Sequence, residues 1–406
     1  NKVVFSGQKV KPLSENHRQE KASELMPILR GLCSSVNQMV GHFTDDDNVL
    51  SFVNSYDLDR LAPMGTSCPD HFLRTKIQPL IIRLKLDTGT INVDLLKREL
   101  TPSFENYRRI YKEYYEACKH PNSPPMRDPN PVILLCPGLG MFSFAKNKQT
   151  ARVAAEFYSN AINVMRGAEA ISSYTALSKQ EAFNIEYWLL EEAKLQRMPK
   201  EKVLSRKVAL VTGAGGGIGK AIANKLLAEG AHVVFSDISL ERLQENAAHL
   251  NADQASYIVC DVTQETSIIE AIAHTCSYFG GLDIIVHSAG LAISKPLAET
   301  QEKDWDLLQN VLVKGQFELA KQTVAVMRKQ SLGGNIIINA SKNGLVSGPN
   351  NLGYGTAKAA QQHMSRLLAT ELAGDKIRVN TINPDGVIIG SKIWEGDWAI
   401  GRAITY

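Results

Sequence analysis

The feature that most constrains this chain is a short β-branched run that empties into a glycine cluster and then into a helical pattern. Val208-Ala209-Leu210-Val211 leads into Thr212-Gly213-Ala214-Gly215-Gly216-Gly217-Ile218-Gly219, a T-G-x-x-x-G-x-G sequence placed between a strand and a helix. From Lys207 onward the same grammar repeats. Strands are expected at Val208–Thr212, His232–Asp237, Ser256–Asp261, Asp283–His287, Asn335–Ala340 and Ile377–Asn383, with amphipathic helix-length segments between them. Strands alternating with helices imply βαβ units and a parallel sheet covered on both faces.

The glycine turn has a physical reading of its own. One glycine permits the tight turn, another lets the backbone approach a pyrophosphate, and the last lets helix and strand pack closely. Phosphates then meet free N–H groups at the helix N-terminus. This makes Thr212, Gly213, Gly217, Ile218 and Gly219 candidate cofactor-binding residues in a Rossmann-type doubly wound sheet. Asp237 ends the second strand 18 residues after Gly219. A carboxylate there can accept from the adenosine ribose hydroxyls and repels a 2′-phosphate, so NAD is expected over NADP. The other reading of Asp237 is a cap for the following helix. Asp261 and Val262 end the third strand, where Asp261 can meet the adenine edge or cap a helix.

Tyr354 stands 13 residues after Ser341, and Lys358 follows four residues later. Tyr and Lys at i and i+4 share one helix face. An ammonium beside a phenol favours the phenolate, so the Tyr354 pKa is expected to fall toward neutrality. Tyr354 can then exchange a proton with a substrate oxygen, while Ser341 stabilises the charge developing on that oxygen.

This S…Y-x-x-x-K arrangement downstream of the glycine turn resembles the short-chain dehydrogenase/reductase family, from Lys207 to about Ile389. The resemblance implies that Lys358 also binds the nicotinamide ribose and that Tyr354 lies against the cofactor. It further implies that Ala289 and Gly290 leave room beside the cofactor. Three positions depart from the family pattern. Leu312 stands where an Asn usually relays protons, and Asn310 is about 200° away round a helix. The usual N-N-A-G reads His287-Ser288-Ala289-Gly290, and the usual P-G reads Asn383-Pro384-Asp385-Gly386.

The first half is less regular. Ser14–Gly41 reads as helical, Val49–Asn54 and Pro79–Leu84 as strands, and Asp94–Lys119 as a long polar helix with Tyr107, Tyr111, Tyr114 and Tyr115. Residues 120–131 hold five prolines and read as a loop. A strand is expected at Val132–Cys136, then a Pro-Gly turn, then helices at Lys148–Val164 and Glu181–Arg197. Met198–Arg206 reads as a linker. Domains are expected at 1–200 and 201–406.

Several passages resemble the bifunctional rhamnulose-1-phosphate aldolase/alcohol dehydrogenase family, in which a class II aldolase-like α/β domain precedes the dehydrogenase. They are G-T-S-C-P-D-H-F-L-R-T-K from Gly65, P-G-L-G-M-F-S-F from Pro137, K-Q-T-A-R from Lys148, N-V-M-R-G-A-E from Asn163 and E-Y-W-L-L-E-E from Glu186. The resemblance implies lactaldehyde, released by such an aldolase, as the dehydrogenase substrate. It also implies zinc in the full-length aldolase domain. Class II aldolases hold Zn²⁺ with clustered histidines and a carboxylate. This chain has nine histidines and no H-x-H. His71 is the candidate metal ligand, and Cys136-Pro137-Gly138 stands where related aldolases carry N-H-G. The half as it stands is therefore expected to hold no catalytic zinc by itself. The chain does not begin with Met and stops short of the family's last elements, so both domains are expected to be incomplete.

Three readings stay open: an NAD-dependent oxidoreductase of a short hydroxy-aldehyde or sugar-derived alcohol in deoxysugar breakdown, a sugar or polyol dehydrogenase with a non-catalytic aldolase-like half, and an NAD-binding regulatory protein without turnover. The net charge of +3 and the scattered basic residues argue against nucleic acid. There is no apolar run of membrane-spanning length. The six cysteines form no C-x-x-C pair and read as reduced thiols of a cytoplasmic protein. A small-molecule substrate and a homo-oligomer are expected.

Overall fold

The computed structural model describes residues 3–85 and 91–386. The chain divides into two units, Asn1–Glu201 and Lys202–Tyr406. Residues 387–389, the end of the dehydrogenase-like stretch, lie outside the described residues.

The first unit holds a four-stranded sheet of β1 (Val40–Thr44), β2 (Leu80–Ile81), β3 (Ile133–Cys136) and β4 (Gly140–Ala145), in the order β1-β4-β3-β2. β4 runs antiparallel to both β1 and β3, and β2 is parallel to β3. Every residue of β3 and β4 is buried, because helices cover both faces.

Several local expectations change here. Val49–Asn54 is not a strand but belongs to the helix Asp47–Val53. Asp46 caps it by accepting from the Val49 N–H at 2.8 Å. Val49, Phe52 and Val53 then fall on one buried face, a helical spacing that two valines and a phenylalanine, all good strand formers, concealed. The first helix stops at Cys33, and Val40 and Gly41 belong to β1. The Glu181–Arg197 pattern breaks into Lys179–Glu186 and Leu189–Arg197 around Tyr187, which is buried with Glu186.

The second unit is a six-stranded sheet, parallel throughout. Its strands are β5 (Val208–Thr212), β6 (His232–Asp237), β7 (Ala255–Val259), β8 (Ile284–His287), β9 (Gly334–Asn339) and β10 (Ile377–Ile382). The order β7-β6-β5-β8-β9-β10 reverses direction between β5 and β8. In a doubly wound sheet, that reversal opens a crevice at the carboxyl ends of the strands, where ligands bind. The expected strands agree to within two residues at each end, since runs such as Val208-Ala209-Leu210-Val211 are buried on both faces and cannot alternate.

Candidate active site

A cavity of about 540 Å³ opens at the β5/β8 switch point, within the usual size of ligand sites. Thr212 is buried just behind the lining residue Gly213. Its hydroxyl accepts from the Ser288 and Ala289 N–H groups, each at 3.2 Å, and so ties the end of β5 to the turn after β8. Gly213 has φ +69, and a Cβ there would lie 2.6 Å from the Ala289 nitrogen. A Cβ on Gly219 would strike the Gly213 carbonyl, so the first turn of helix Gly217–Ala228 packs on the loop only as glycine. The Gly217 and Ile218 backbone at this helix start lines the cavity.

Asp237 spends both carboxylate oxygens on the backbone, accepting from Gly215 and Ser239 at 3.0 Å each. Ser239, not Asp237, caps the following helix. Gly215 is a residue the sequence reading passed over, since a Cβ there would lie 2.7 Å from the Asp237 carboxylate. Arg242, also passed over, lines the same cavity. Asp261 accepts from the Thr263 N–H at 2.9 Å and hydroxyl at 2.8 Å, forming a local turn. Helix Glu265–Phe279 is preceded by Gln264, so Asp261 is not its cap. Asp261 and Val262 line the cavity, as do Ala289 and Gly290.

Helix Leu352–Glu371 carries Tyr354 and Lys358 on its buried face. Lys358 Nζ lies 5.6 Å from the centre of the Tyr354 ring and donates to the Asn339 carbonyl at 3.0 Å. Ser341 follows β9, and its hydroxyl accepts from the Asn343 N–H at 3.2 Å. All three line the cavity.

Their electrostatics differ from the sequence expectation. Burial raises the Tyr354 pKa above the ordinary phenol value, and the Ser341 hydrogen bond opposes this without reversing it. Burial also pulls Lys358 down to about 7. The low dielectric penalises both charged forms. The amine, close to losing its own proton at neutral pH, does not turn the phenol into a phenolate.

Two departures from the family pattern acquire surroundings. Leu312 is fully buried among Leu308, Tyr354 and Ala357, while Asn310 is exposed. Leu312's carbonyl accepts from Gln361 Nε2 at 2.7 Å. His287 is buried with Nδ1 3.2 Å from the Thr212 hydroxyl. Burial first, and the neighbouring Lys358 second, push its pKa down to about 3, so the imidazole is neutral. Nothing local in the sequence signals either contact.

In the first unit, His71 is 2% exposed, packs edge-on against Phe157 at 5.3 Å, and has its pKa lowered by burial. Among the described residues no three His, Cys, Asp or Glu gather as a metal site. The His71 Nδ1 is buried and meets no hydrogen-bond partner among the described residues. Two of the aldolase-like passages do meet elsewhere. Lys76 lies 4.1 Å over the Tyr111 ring and donates to the Asn130 carbonyl at 2.8 Å. Glu186 accepts from Tyr111 at 2.5 Å and Tyr114 at 3.2 Å. Burial pulls Lys76 down to about 8 and pushes Glu186 up.

Comparison with known proteins finds a different family model in each half. The second domain of class II aldolases matches residues 20–195, and the short chain dehydrogenase family matches residues 207–393. An uncharacterized oxidoreductase of Staphylococcus aureus is 38% identical over 182 residues, which are 45% of this chain and 78% of that protein. The chain belongs to the short-chain dehydrogenase family. Its dehydrogenase-type domain follows a class II aldolase-type domain. The uncharacterized oxidoreductase YuxG of Bacillus subtilis is 36% identical over 409 residues, or 99% of this chain, and the chain spans 59% of YuxG's length. A short chain dehydrogenase from Mycobacterium smegmatis is 32% identical, with a TM-score of 0.44, covering 52% of this chain and 90% of that structure. No helix among the described residues is long and apolar enough to cross a membrane.

Proposed function

We propose that the dehydrogenase domain transfers hydride between NAD and a short hydroxy-aldehyde or its alcohol, with lactaldehyde (2-hydroxypropanal) as the substrate, in deoxysugar breakdown. The observation that carries this reading is the convergence of Ser341, Tyr354 and Lys358 on one cavity with the glycine cradle. A bound nicotinamide dinucleotide supplies the hydride donor or acceptor. Gly213, Gly217, Ile218 and Gly219 would hold its phosphates, with Thr212 bracing the turn behind them, and Lys358 its nicotinamide ribose. Tyr354, kept protonated by burial, gives its hydroxyl proton to the oxygen of a carbonyl undergoing reduction. Ser341 donates to that same oxygen and stabilises its developing charge. The test is NADH consumption by the full-length protein with 2-hydroxypropanal. Absence of turnover with this and other short aldehydes overturns the proposal.

The aldolase-type half supports a second reading, in which it is non-catalytic. His71's apolar packing favours this reading. Stoichiometric zinc in the full-length protein, together with cleavage of a ketose 1-phosphate, would overturn it.

Asp237 sets an expectation for cofactor choice. NADH should bind more tightly than NADPH, and Asp237→Ala should narrow the difference by roughly tenfold or more, since removing the carboxylate leaves Arg242 lining the cavity. Fluorescence titration of both cofactors checks this. Tighter NADPH binding by the wild type would show that Asp237 does not select.

A further inference from the structure

The family pattern has glycine where this chain carries Asp385, and the structure places that carboxylate in an ion pair with Lys342, the residue directly after Ser341. We propose that Lys342 and Asp385 act as one neutral reading head for a hydroxyl group on the substrate, selecting uncharged hydroxy-aldehydes over aldehydes that lack the hydroxyl or carry a carboxylate in its place. This rests on the hydride-transfer reading above and names what the same site recognises.

The pair is held on a rigid frame. The Lys342 N–H donates to the Pro384 carbonyl at 3.1 Å, and the Ala340 N–H to the Ile382 carbonyl at 2.8 Å. Gln362, on the same helix as Tyr354, donates from Nε2 to the Ser341 carbonyl and to Asn383 Oδ1, each at 2.8 Å. The turns that carry Lys342 and Asp385 are thus tied to each other and to the helix of the proton donor.

Stability does not account for the pair. The side chains are 33% and 53% exposed, and ion pairs so exposed contribute little to folding. Both residues line the cavity shared by Ser341 and Tyr354. Leu291 and Val311, which line it too, pack against the apolar cluster around Tyr354. Against apolar walls of this kind, a charge pair is a strong polar signal.

Its chemistry selects by charge balance. A substrate carboxylate that approaches Lys342 meets an ammonium already neutralised, with Asp385 repelling it. A hydroxyl accepts from the ammonium and donates to the carboxylate at the same time. Hydrogen bonds to charged groups discriminate by roughly tenfold to a hundredfold.

The test measures NADH-dependent reduction of propanal, 2-hydroxypropanal and glyoxylate by the full-length protein. Wild type should prefer 2-hydroxypropanal to propanal by about tenfold or more in kcat/KM, mainly through KM, and should be poorest with glyoxylate. Lys342→Met should bring the first ratio close to one. Asp385→Asn, which exposes the ammonium, should raise kcat/KM for glyoxylate by roughly tenfold, with the gain fading in about 0.5 M salt. Asp385→Asn keeps the side-chain shape, so it carries the test alone if Lys342→Met does not fold. NADH fluorescence titration confirms an intact cofactor site in each variant. Wild-type turnover without preference, or unchanged ratios in folded variants, overturns the reading head alone. Wild-type failure to reduce all three aldehydes overturns the hydride-transfer reading, and this inference with it.

Discussion

Tyr354→Phe is expected to lower kcat for aldehyde reduction by about 10² to 10⁴, the range typical of a positioned acid or base, while the NADH dissociation constant stays within about twofold of wild type, because the ring and Lys358 remain in place. The substitution removes one oxygen from a buried ring. Tyr354 is 8% exposed and packs with Leu308, Leu312 and Ala357, contacts a phenylalanine keeps. The hydrogen bond with Ser341 goes, which changes stability by about 1 kcal/mol. Loss of turnover therefore cannot come from unfolding, and a melting curve on the same sample checks that. The sign of the phenol's shift adds a pH dependence. Burial raises the Tyr354 pKa, so the protonated form that serves reduction is present through neutral pH and is lost only as pH rises through that raised value. Reduction by the wild type should hold a plateau across neutrality and fall on the alkaline side. A Tyr354→Phe enzyme with most of its turnover, folded and binding NADH, would remove Tyr354 from the proton transfer.

The sequence discloses this site unevenly, and the reason is distance along the chain. Thr212, Gly213, Gly219, Ser341, Tyr354 and Lys358 are legible because each belongs to a spacing set by one turn or one helix face. The central strands β5, β6 and β8 are legible because strands buried on both faces read as largely apolar runs, and β7, β9 and β10 because short β-branched stretches recur between helical patterns. In the aldolase-type half only β3, the apolar run at Ile133–Cys136, gives such a signal. β1 and β4 pair Val40-Gly41-His42-Phe43-Thr44 with Met141-Phe142-Ser143-Phe144-Ala145, and neither segment is β-branched throughout. The helix at Asp47–Val53 hides behind Val49, Phe52 and Val53, all good strand formers, until Asp46 is seen as its cap. What stays hidden in the active site is long-range. Gln362 reaches Ser341 and Asn383, and Asp385 meets Lys342. The Tyr354 shift was misjudged for a related reason: helical spacing gives the Lys358 neighbour but not the depth at which both groups are buried.

That depth makes Lys358 the residue on which stability and function should separate most sharply. Its amine is 5% exposed and its pKa is pulled from 10.5 down to about 7 by burial. The unfolded chain therefore binds a proton between about pH 7 and 10.5 that the folded protein does not, so stability rises with pH across that window. The folded state carries the full penalty below about pH 7. At about 1.4 kcal/mol per unit, a shift of this size corresponds to a few kcal/mol. Lys358→Met keeps the length of the side chain and removes the charge. It also removes the hydrogen bond to the Asn339 carbonyl, which costs about 1 kcal/mol. The net expectation is a gain of about 2 kcal/mol near pH 7 in the cofactor-free protein, or roughly 4 to 8 °C in the melting temperature of a domain this size. The gain should shrink steadily toward pH 10. In the same variant both turnover and NADH affinity should collapse, because the amine that would hold the nicotinamide ribose is gone. Loss of cofactor affinity separates this variant from Tyr354→Phe, which should lose turnover alone. Melting curves at pH 6, 8 and 10, set beside NADH titrations, decide the matter: a variant destabilised equally at every pH would mean that the buried amine carries no charge penalty.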